Sequence, residues 1–425
     1  MRDVKICDGR QLGREQFMKK ELYLASFAAM AWASLAAPAA AADAAVAQDA
    51  AASPAASSGE VADGSDIIVT ARRRNETTLA TPVVLTAFSA EKLDSLHVTS
   101  ITDVAKLTPL LIIAPATGPY GGNLTLRGVA SPSSNASSEP AVTINIDGVP
   151  LSYGGVVRLA NIDIGQVEIL KGPQALFFGK NSTGGIVSIR SAEPTSTFQS
   201  QFSAGYEFHA HQVDLDGYVS GPLTDTLNVR AAGRFTRQRG YFKNVAPVRT
   251  FDYSPGTDEE GFRLSANWKP MDRLTVKLRG TYDHVSETGS YSTSQKIACV
   301  GGVPHGPGVG GATVEDCVLD DKVVFAPIPS AALRTLTGNP DFDSDSGYLK
   351  VKQYLVTSDI NYELTDSISI NSVTGWYGIR QKTIDAQTTG ARFFIGGLSS
   401  VRKNAFSQEV RLTFRSPDSP VDLMM

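Results

Sequence analysis

A basic surplus, cysteine, long apolar runs and catalytic or metal-ligating spacings are all scarce in this sequence. There are 39 Lys and Arg against 43 Asp and Glu, a net charge of −4. That balance argues against nucleic acid as a partner, because phosphate binding shows as a basic surplus. Beyond the amino-terminal segment no run approaches the ~18 apolar residues that a spanning helix needs, so membrane residence would have to be as a β-barrel. No GxSxG elbow or HExxH pair occurs, which removes the usual support for an exported hydrolase. Gly306–Gly311 fits GxGxxG but lacks the strand and helix that a dinucleotide fold requires. Asp341, Asp343 and Asp345 suggest a calcium loop, yet Gly347 falls one place late and Lys352 stands where the bidentate glutamate belongs. His209 and His211 share a strand face at a loop tip, where histidines are solvated more often than ligating. The expectation is a non-enzyme with no metal site and no cofactor.

Cysteine occurs three times. Cys7 lies in a segment expected to be removed, and Cys299 and Cys317 bracket a glycine-rich stretch. In an oxidising compartment a loop disulfide between them is the natural reading, with two free thiols as the alternative.

Four regions follow one another. Residues 1–42 read as a secretory signal peptide with an upstream extension: Met18-Lys19-Lys20 is the basic start, Leu22–Ala37 the apolar stretch, and Ala40–Ala42 offers small-residue cleavage sites. Residues 43–76 form a leader rich in Ala, Ser, Asp and Gly, expected to be disordered, within which Asp66-Ile67-Ile68-Val69-Thr70-Ala71 stands out for its β propensity. Such a stranded segment can add to a partner's sheet edge, or be an edge strand of the domain that follows. Residues 77–195 have the order of a small α+β domain. Ser89 caps one helix, Ile101–Leu107 makes a second, and Leu124–Arg127, Val142–Ile146 and Val167–Leu170 are strands, with Asp147-Gly148 as a hairpin turn.

From residue 198 a dyad repeat takes over. Leu227, Val229, Ala231, Gly233 and Phe235 alternate with Asn228, Arg230, Ala232 and Arg234. Leu274, Val276, Leu278, Gly280 and Tyr282 alternate with Arg273, Thr275, Lys277, Arg279, Thr281 and Asp283. Val410, Leu412 and Phe414 alternate with Glu409, Arg411, Thr413 and Arg415. One face is apolar and the other charged. Short turns near 221–225, 269–272 and 363–366 contrast with long connections near 239–259, 288–351 and 384–404. That sorting of loops is how an outer-membrane barrel is built, and a soluble sandwich has no reason for it.

The stretch Val167–Ile189, VEILKGPQALFFGKNSTGGIVSI, is glycine-rich, but it is no phosphate loop. Six residues separate Gly172 from Gly179, and Asn181 follows Lys180 where a hydroxyl should meet magnesium. With DIIVTA at 66–71, LTLRGV at 124–129 and INIDGVPL at 144–151, it resembles the TonB-dependent outer-membrane receptors. The resemblance implies an α+β plug domain, residues 77–195, followed by antiparallel transmembrane β-barrel strands, residues 198–425. The glycines would then serve tight turns and close packing inside a crowded tube. It further implies that Asp66–Ala71 is the TonB box, adding a strand to a TonB-type periplasmic energy-coupling protein, and that Arg127 and Glu168 hold plug to barrel wall. The implied cargo is a scarce bulky ligand, foremost a ferric siderophore, with cobalamin or a carbohydrate as alternatives. Outer-membrane lipid surrounds the barrel and no nucleic acid takes part. A signalling role would need a further periplasmic domain ahead of the TonB box. The family's barrel has 22 strands and this sequence supplies about eight, so the expectation from strand number is a truncated or frameshifted gene product, for which transport does not follow from the resemblance alone.

Overall fold

The computed structural model describes residues 68–69, 76–77, 84–113 apart from 97 and 99, 124–130, 140–151, 155–174, 181–289 apart from 247, 318–389 apart from 326, 329 and 343, 392–414 and 423–424. The signal peptide, most of the leader, Asp66, Ile67, Thr70, Ala71, Cys299 and Cys317 lie outside the described residues.

The leader contributes a two-residue pair, β1 (Ile68–Val69) against β2 (Glu76–Thr77). The globular domain then runs β3 (Leu85–Ser89), α1 (Ala90–Ser95), α2 (Ile101–Leu107), β4 (Leu111–Ile113), β5 (Leu124–Leu126), β6 (Val129–Ala130), β7 (Val142–Ile146), β8 (Val149–Leu151), α3 (Val156–Leu159), β9 (Ile164–Lys171) and β10 (Gly185–Ser191). Both helix starts are capped as their sequences require. Ser89 Oγ accepts from Lys92 N at 3.3 Å and Ser100 Oγ from Asp103 N at 3.2 Å. The main sheet has the order β3-β9-β10-β7-β8, parallel only between β10 and β7, and β4-β5-β6 form a second small sheet. Every residue of β7 is buried, as a central strand covered on both faces must be. Asp147 (φ 50°) and Gly148 (φ 87°) make the β7–β8 turn, and Arg127 (φ 52°) with Gly128 (φ 79°) makes the same kind of turn between β5 and β6.

Gly185 shows why the glycine-rich stretch tolerates nothing larger. At φ +138° a Cβ there would stand 2.4 Å from the Leu170 carbonyl oxygen and 2.5 Å from Leu126 Cδ2. The residue lets β10 leave its turn flush against β9.

The second half is one antiparallel sheet of β11 (Gln199–Glu207), β12 (Gln212–Thr224), β13 (Leu227–Gln238), β16 (Gly256–Met271), β17 (Leu274–Thr288), β19 (Tyr348–Glu363), β20 (Ile368–Thr389), β21 (Arg392–Phe414) and β22 (Leu423–Met424), in that order. Between β13 and β16, and between β17 and β19, the long connections carry β14 (Phe242–Asn244), β15 (Tyr253–Ser254) and β18 (Lys322–Val323) as a small sheet, with α4 (Ser330–Thr337) following. The third long connection expected, 384–404, is instead a hairpin. β20 and β21 stay paired out to Thr389 and Arg392, with a register shift at Asp385/Ala386. Two strands already in register extend their ladder without a loop to close, while the apolar/polar alternation that betrays a strand fades where one face no longer meets lipid.

Polarity in this sheet is inverted relative to a soluble protein. Leu264, Trp376 and Phe406 are 68%, 57% and 69% exposed, whereas Asp283 and Gln353 are 0% exposed and Arg263 is 1% exposed. Apolar side chains left bare on one face, with charged side chains sealed behind the other, suit a wall between lipid and an occupied interior. The apolar core of the globular domain continues onto that inner face through Val285, Leu349, Val351, Leu355 and Ile379.

Candidate functional site: the layer between globular domain and wall

The layer is built from one short stretch, Gly155–Asp163, and the inward residues of β13, β16, β17, β19 and β20. Val156 and Leu159 of α3 are fully buried in the domain, which directs Arg158 toward the wall. There its Nη1 lies 3.3 Å from Glu259 Oε2 and its Nη2 meets Glu287. Burial alone would push the Arg158 guanidinium to lose its proton more easily, but Glu287, Glu259 and Asp283 together hold that proton more firmly than usual. Gln353 Nε2 donates to the Gly155 carbonyl at 3.2 Å and to Asp283 Oδ2 at 2.8 Å, and is itself fixed by Tyr377 Oη, which donates to its Oε1 at 3.1 Å.

Five residues on from Arg158, the signs reverse. The Asp163 carboxylate is gripped by Arg230, Nε at 2.8 Å and Nη2 at 2.6 Å, in the two-pronged geometry that makes Arg–carboxylate bonds strong. Arg263 donates to the carbonyls of Ile162 and Asp163. A second patch centres on Glu193, just after β10, which accepts from Lys277 Nζ at 2.8 Å, Arg279 Nη2 at 2.8 Å and Asn267 Nδ2 at 2.7 Å. Burial pushes the Glu193 carboxyl up, but Arg279 and Lys277, with the hydrogen bonds from Lys277 and Asn267, overcome that and hold it at about 2. Asp147, in the β7–β8 turn, ties the domain to itself by accepting from Ser191 N at 2.9 Å and Ser191 Oγ at 2.6 Å.

Between these pairs the surfaces touch through glycine. A Cβ at Gly261 would fall 2.5 Å from Ile162 Cδ1, and one at Gly375 would fall 2.5 Å from both Val149 methyls. Two wall glycines thus receive two apolar knobs from the domain.

The residues singled out from sequence sit differently. Arg127 occupies the exposed β5–β6 turn. Glu168 is completely buried in β9 and accepts from Gln166 Nε2 at 3.0 Å. The cross-layer ion pairs described above run through Arg158, Asp163 and Glu193. Of the proposed TonB box, Ile68 and Val69 are β and pair with Thr77 and Glu76 of the same chain, Val69 being buried. Arg230, Lys277, Arg279 and Asp283 were legible as the charged face of dyad strands, but nothing in the sequence marks Asp163 as the partner of Arg230, Glu193 as that of Lys277 and Arg279, or Arg158 as that of Glu259 and Glu287.

A globular α+β domain bonded by charge to the inner face of a lipid-exposed sheet is the setting for the comparisons with known proteins. Residues 77–186 match the TonB-dependent Receptor Plug Domain family. The chain carries a TonB-dependent receptor plug. Over 171 residues it is 32% identical to the pesticin receptor of Yersinia pestis, covering 39% of this chain and 24% of that one. In structure it is similar to the ferric yersiniabactin uptake receptor FyuA from Yersinia pestis, with a TM-score of 0.60 and 21% identity over 81% of this chain and 48% of that one. It is similar also to the pyoverdine outer membrane receptor FpvA from Pseudomonas aeruginosa, with a TM-score of 0.61 and 14% identity over 84% and 47%. The fold is therefore plug plus outer-membrane barrel strands. The chain spans about a quarter of the curated relative's length and about half of each solved receptor.

Proposed function

We propose that this chain forms the plug and leading barrel wall of an outer-membrane receptor that takes up a ferric siderophore by an energised, non-covalent mechanism. The observation that carries the reading is the ion-paired layer inside a lipid-facing wall: Arg158 with Glu259 and Glu287, and Asp163 with Arg230. Such a layer closes the lumen in the resting state, yet it is made of polar contacts. Arg263 Nη2 and Asp283 Oδ1 are buried there with no hydrogen-bond partner among the described residues. Polar surfaces of this kind separate more readily than a dry apolar core, since water can take over each bond.

In this mechanism ligand settles over the plug on the long-loop side, and Ile68 and Val69 leave their pairing with Thr77 and Glu76 so that the segment Asp66–Ala71 can add a strand to the periplasmic coupling protein. Force on that strand breaks the layer and opens a path. The similarity to siderophore receptors supports the cargo class. The test is uptake of radioactive iron presented as ferric siderophores to cells lacking the encoding gene, then complemented. Restored uptake that a protonophore abolishes is expected. Val69→Pro, which removes a ladder donor, is expected to abolish uptake while leaving surface binding intact. Unchanged uptake in the deleted strain across siderophore classes would overturn the cargo assignment.

A further inference from the structure

Around Arg158 the plug–wall layer holds more acid than the ion pairs account for. Glu259 on β16 and Asp283 and Glu287 on β17 share the inward face, and all three are buried, Asp283 completely. Arg158 takes Glu259 Oε2 and Glu287. Glu259 Oε1 and Asp283 Oδ1 are left buried with no hydrogen-bond partner among the described residues. A buried carboxylate oxygen without a donor is unfavourable, and two near one another repel as well.

Register brings these two oxygens toward one spot. Asp283 faces Gly261 across the β16–β17 ladder, and Glu259 is the next inward residue of β16. Diagonal neighbours on one face of a sheet are within reach of each other's side chains. Gln353 Nε2 holds the far oxygen of Asp283, Oδ2, at 2.8 Å on the β19 side. Oδ1 therefore points toward β16, and it lies 3.7 Å from where a Cβ on Gly261 would stand. Ile162 of the plug covers that point and shuts out water. The other groups facing Asp283 are accounted for. β19 and β20 supply neutral Gln353 and Tyr377, and the plug supplies the Gly155 carbonyl besides Arg158. On β16, Arg263 is committed to Thr281 Oγ1 and to the Ile162 and Asp163 carbonyls. Arg234 on β13 stands beyond Gly261, and His284 belongs to the outward face, where it meets Glu260 at 3.0 Å.

We propose that Asp283 and Glu259 hold one proton between Oδ1 and Oε1, and that the closed layer keeps this proton while the open layer releases it. With the proton in place each bare oxygen has a partner, and two carboxylate charges remain to face Arg158. Two carboxylates confined to one site do not both ionise easily, and the proton belongs to the pair. When the plug withdraws, Arg158 and Ile162 leave, water reaches the pair, and the proton passes to that water. The closed layer thus binds more protons than the open one, so a fall in pH tightens it and a rise loosens it. The proposal rests on reading this layer as the closed state and is independent of the cargo.

The full chain, folded in dodecyl maltoside micelles, is followed from about pH 5 to about pH 8 by infrared spectroscopy and by limited proteolysis, with cleavage rates taken relative to the unfolded chain. The parent should show a carboxylic-acid carbonyl stretch that fades as pH rises. Cleavage within residues 77–195 should quicken in step, by about tenfold across the range. Asp283→Asn keeps the shape and supplies a permanent donor to Glu259, so it should lack that band and stay slowly cleaved at every pH. Glu259→Gln should behave alike and decides the matter should Asp283→Asn not fold; if neither folds, the parent's band and slope decide it. His284→Gln should keep the parent's slope, which separates the acid pair from the nearby imidazole. A parent without the band, a flat cleavage profile, or a slope that Asp283→Asn shares would overturn the proposal. A plug cut as fast as unfolded chain at every pH would instead overturn the closed layer itself.

Discussion

Arg230 and Asp163 meet with only 7% and 8% of their side chains exposed, so each charge depends on the other for solvation. Removing one partner strands a buried charge and typically costs ~3–5 kcal/mol, while replacing both with apolar groups of similar size is often neutral. Arg230→Met is therefore expected to lower the stability of the folded chain in micelles by about 3–5 kcal/mol, and adding Asp163→Leu should restore most of it. Urea unfolding of the two single variants and the double checks this, and strict additivity would refute the pairing. Glu193 offers a pH readout. Its folded carboxyl sits at about 2, below the ordinary 4.5, so it stabilises the plug–wall layer fully above 4.5. That contribution drains away as pH falls from 4.5 toward 2, because the unfolded chain takes up the proton first. Between those values the melting point of the parent should fall more steeply than that of Glu193→Gln. Parallel pH profiles would show that Lys277 and Arg279 gain nothing from the carboxylate.

At the scale of elements, backbone geometry explains both what sequence revealed and what it hid. The helices after Ser89 and Ser100 and the turn at Asp147-Gly148 were legible because each depends on residues within four positions of one another. Dyad alternation marked β13 and β17 because one face meets lipid along their length. The outer ends of β20 and β21 read as a loop because that contrast disappears there, although the pairing itself persists. The Arg158 and Asp163 contacts were invisible for a different reason: they join residues 67 to 129 positions apart, and only the docking of two domains defines them. Glycine positions test the packing claim directly. Gly128 and Gly185 both have positive φ, but a Cβ at Gly128 meets nothing within 4 Å. Gly128→Ala should cost ~1–2 kcal/mol from backbone conformation alone. Gly185→Ala should cost clearly more, since β9 and Leu126 must also give way. Equal shifts in unfolding midpoint would mean that the β9–β10 junction is looser than its geometry implies.

For the whole molecule, the decisive property is which side of the sheet faces lipid. A water-soluble sheet would hide Leu264 and display Arg263; here their exposures are 68% and 1%. Leu264 pairs across to Ala231 and Gly280, also on the outward face, at mid-wall and far from both sets of loops. An arginine at such a depth on a lipid-facing strand costs ~2–4 kcal/mol, whereas on a solvated surface the same change lies within about half a kcal/mol. Leu264→Arg should therefore lower the yield of folded chain in lipid vesicles. In a denaturant series the loss should be larger in bilayers with a full hydrocarbon core than in short-chain detergent, where the guanidinium reaches water. The matching change on the other face, Arg263→Leu, removes the donor to the Ile162 and Asp163 carbonyls and should loosen the plug without hindering insertion. Limited proteolysis separates the two, cutting the plug of Arg263→Leu while its strands stay protected. If Leu264→Arg inserted as well as the parent in every bilayer, the outward face would be solvent-facing, and plug and wall would both need a different arrangement.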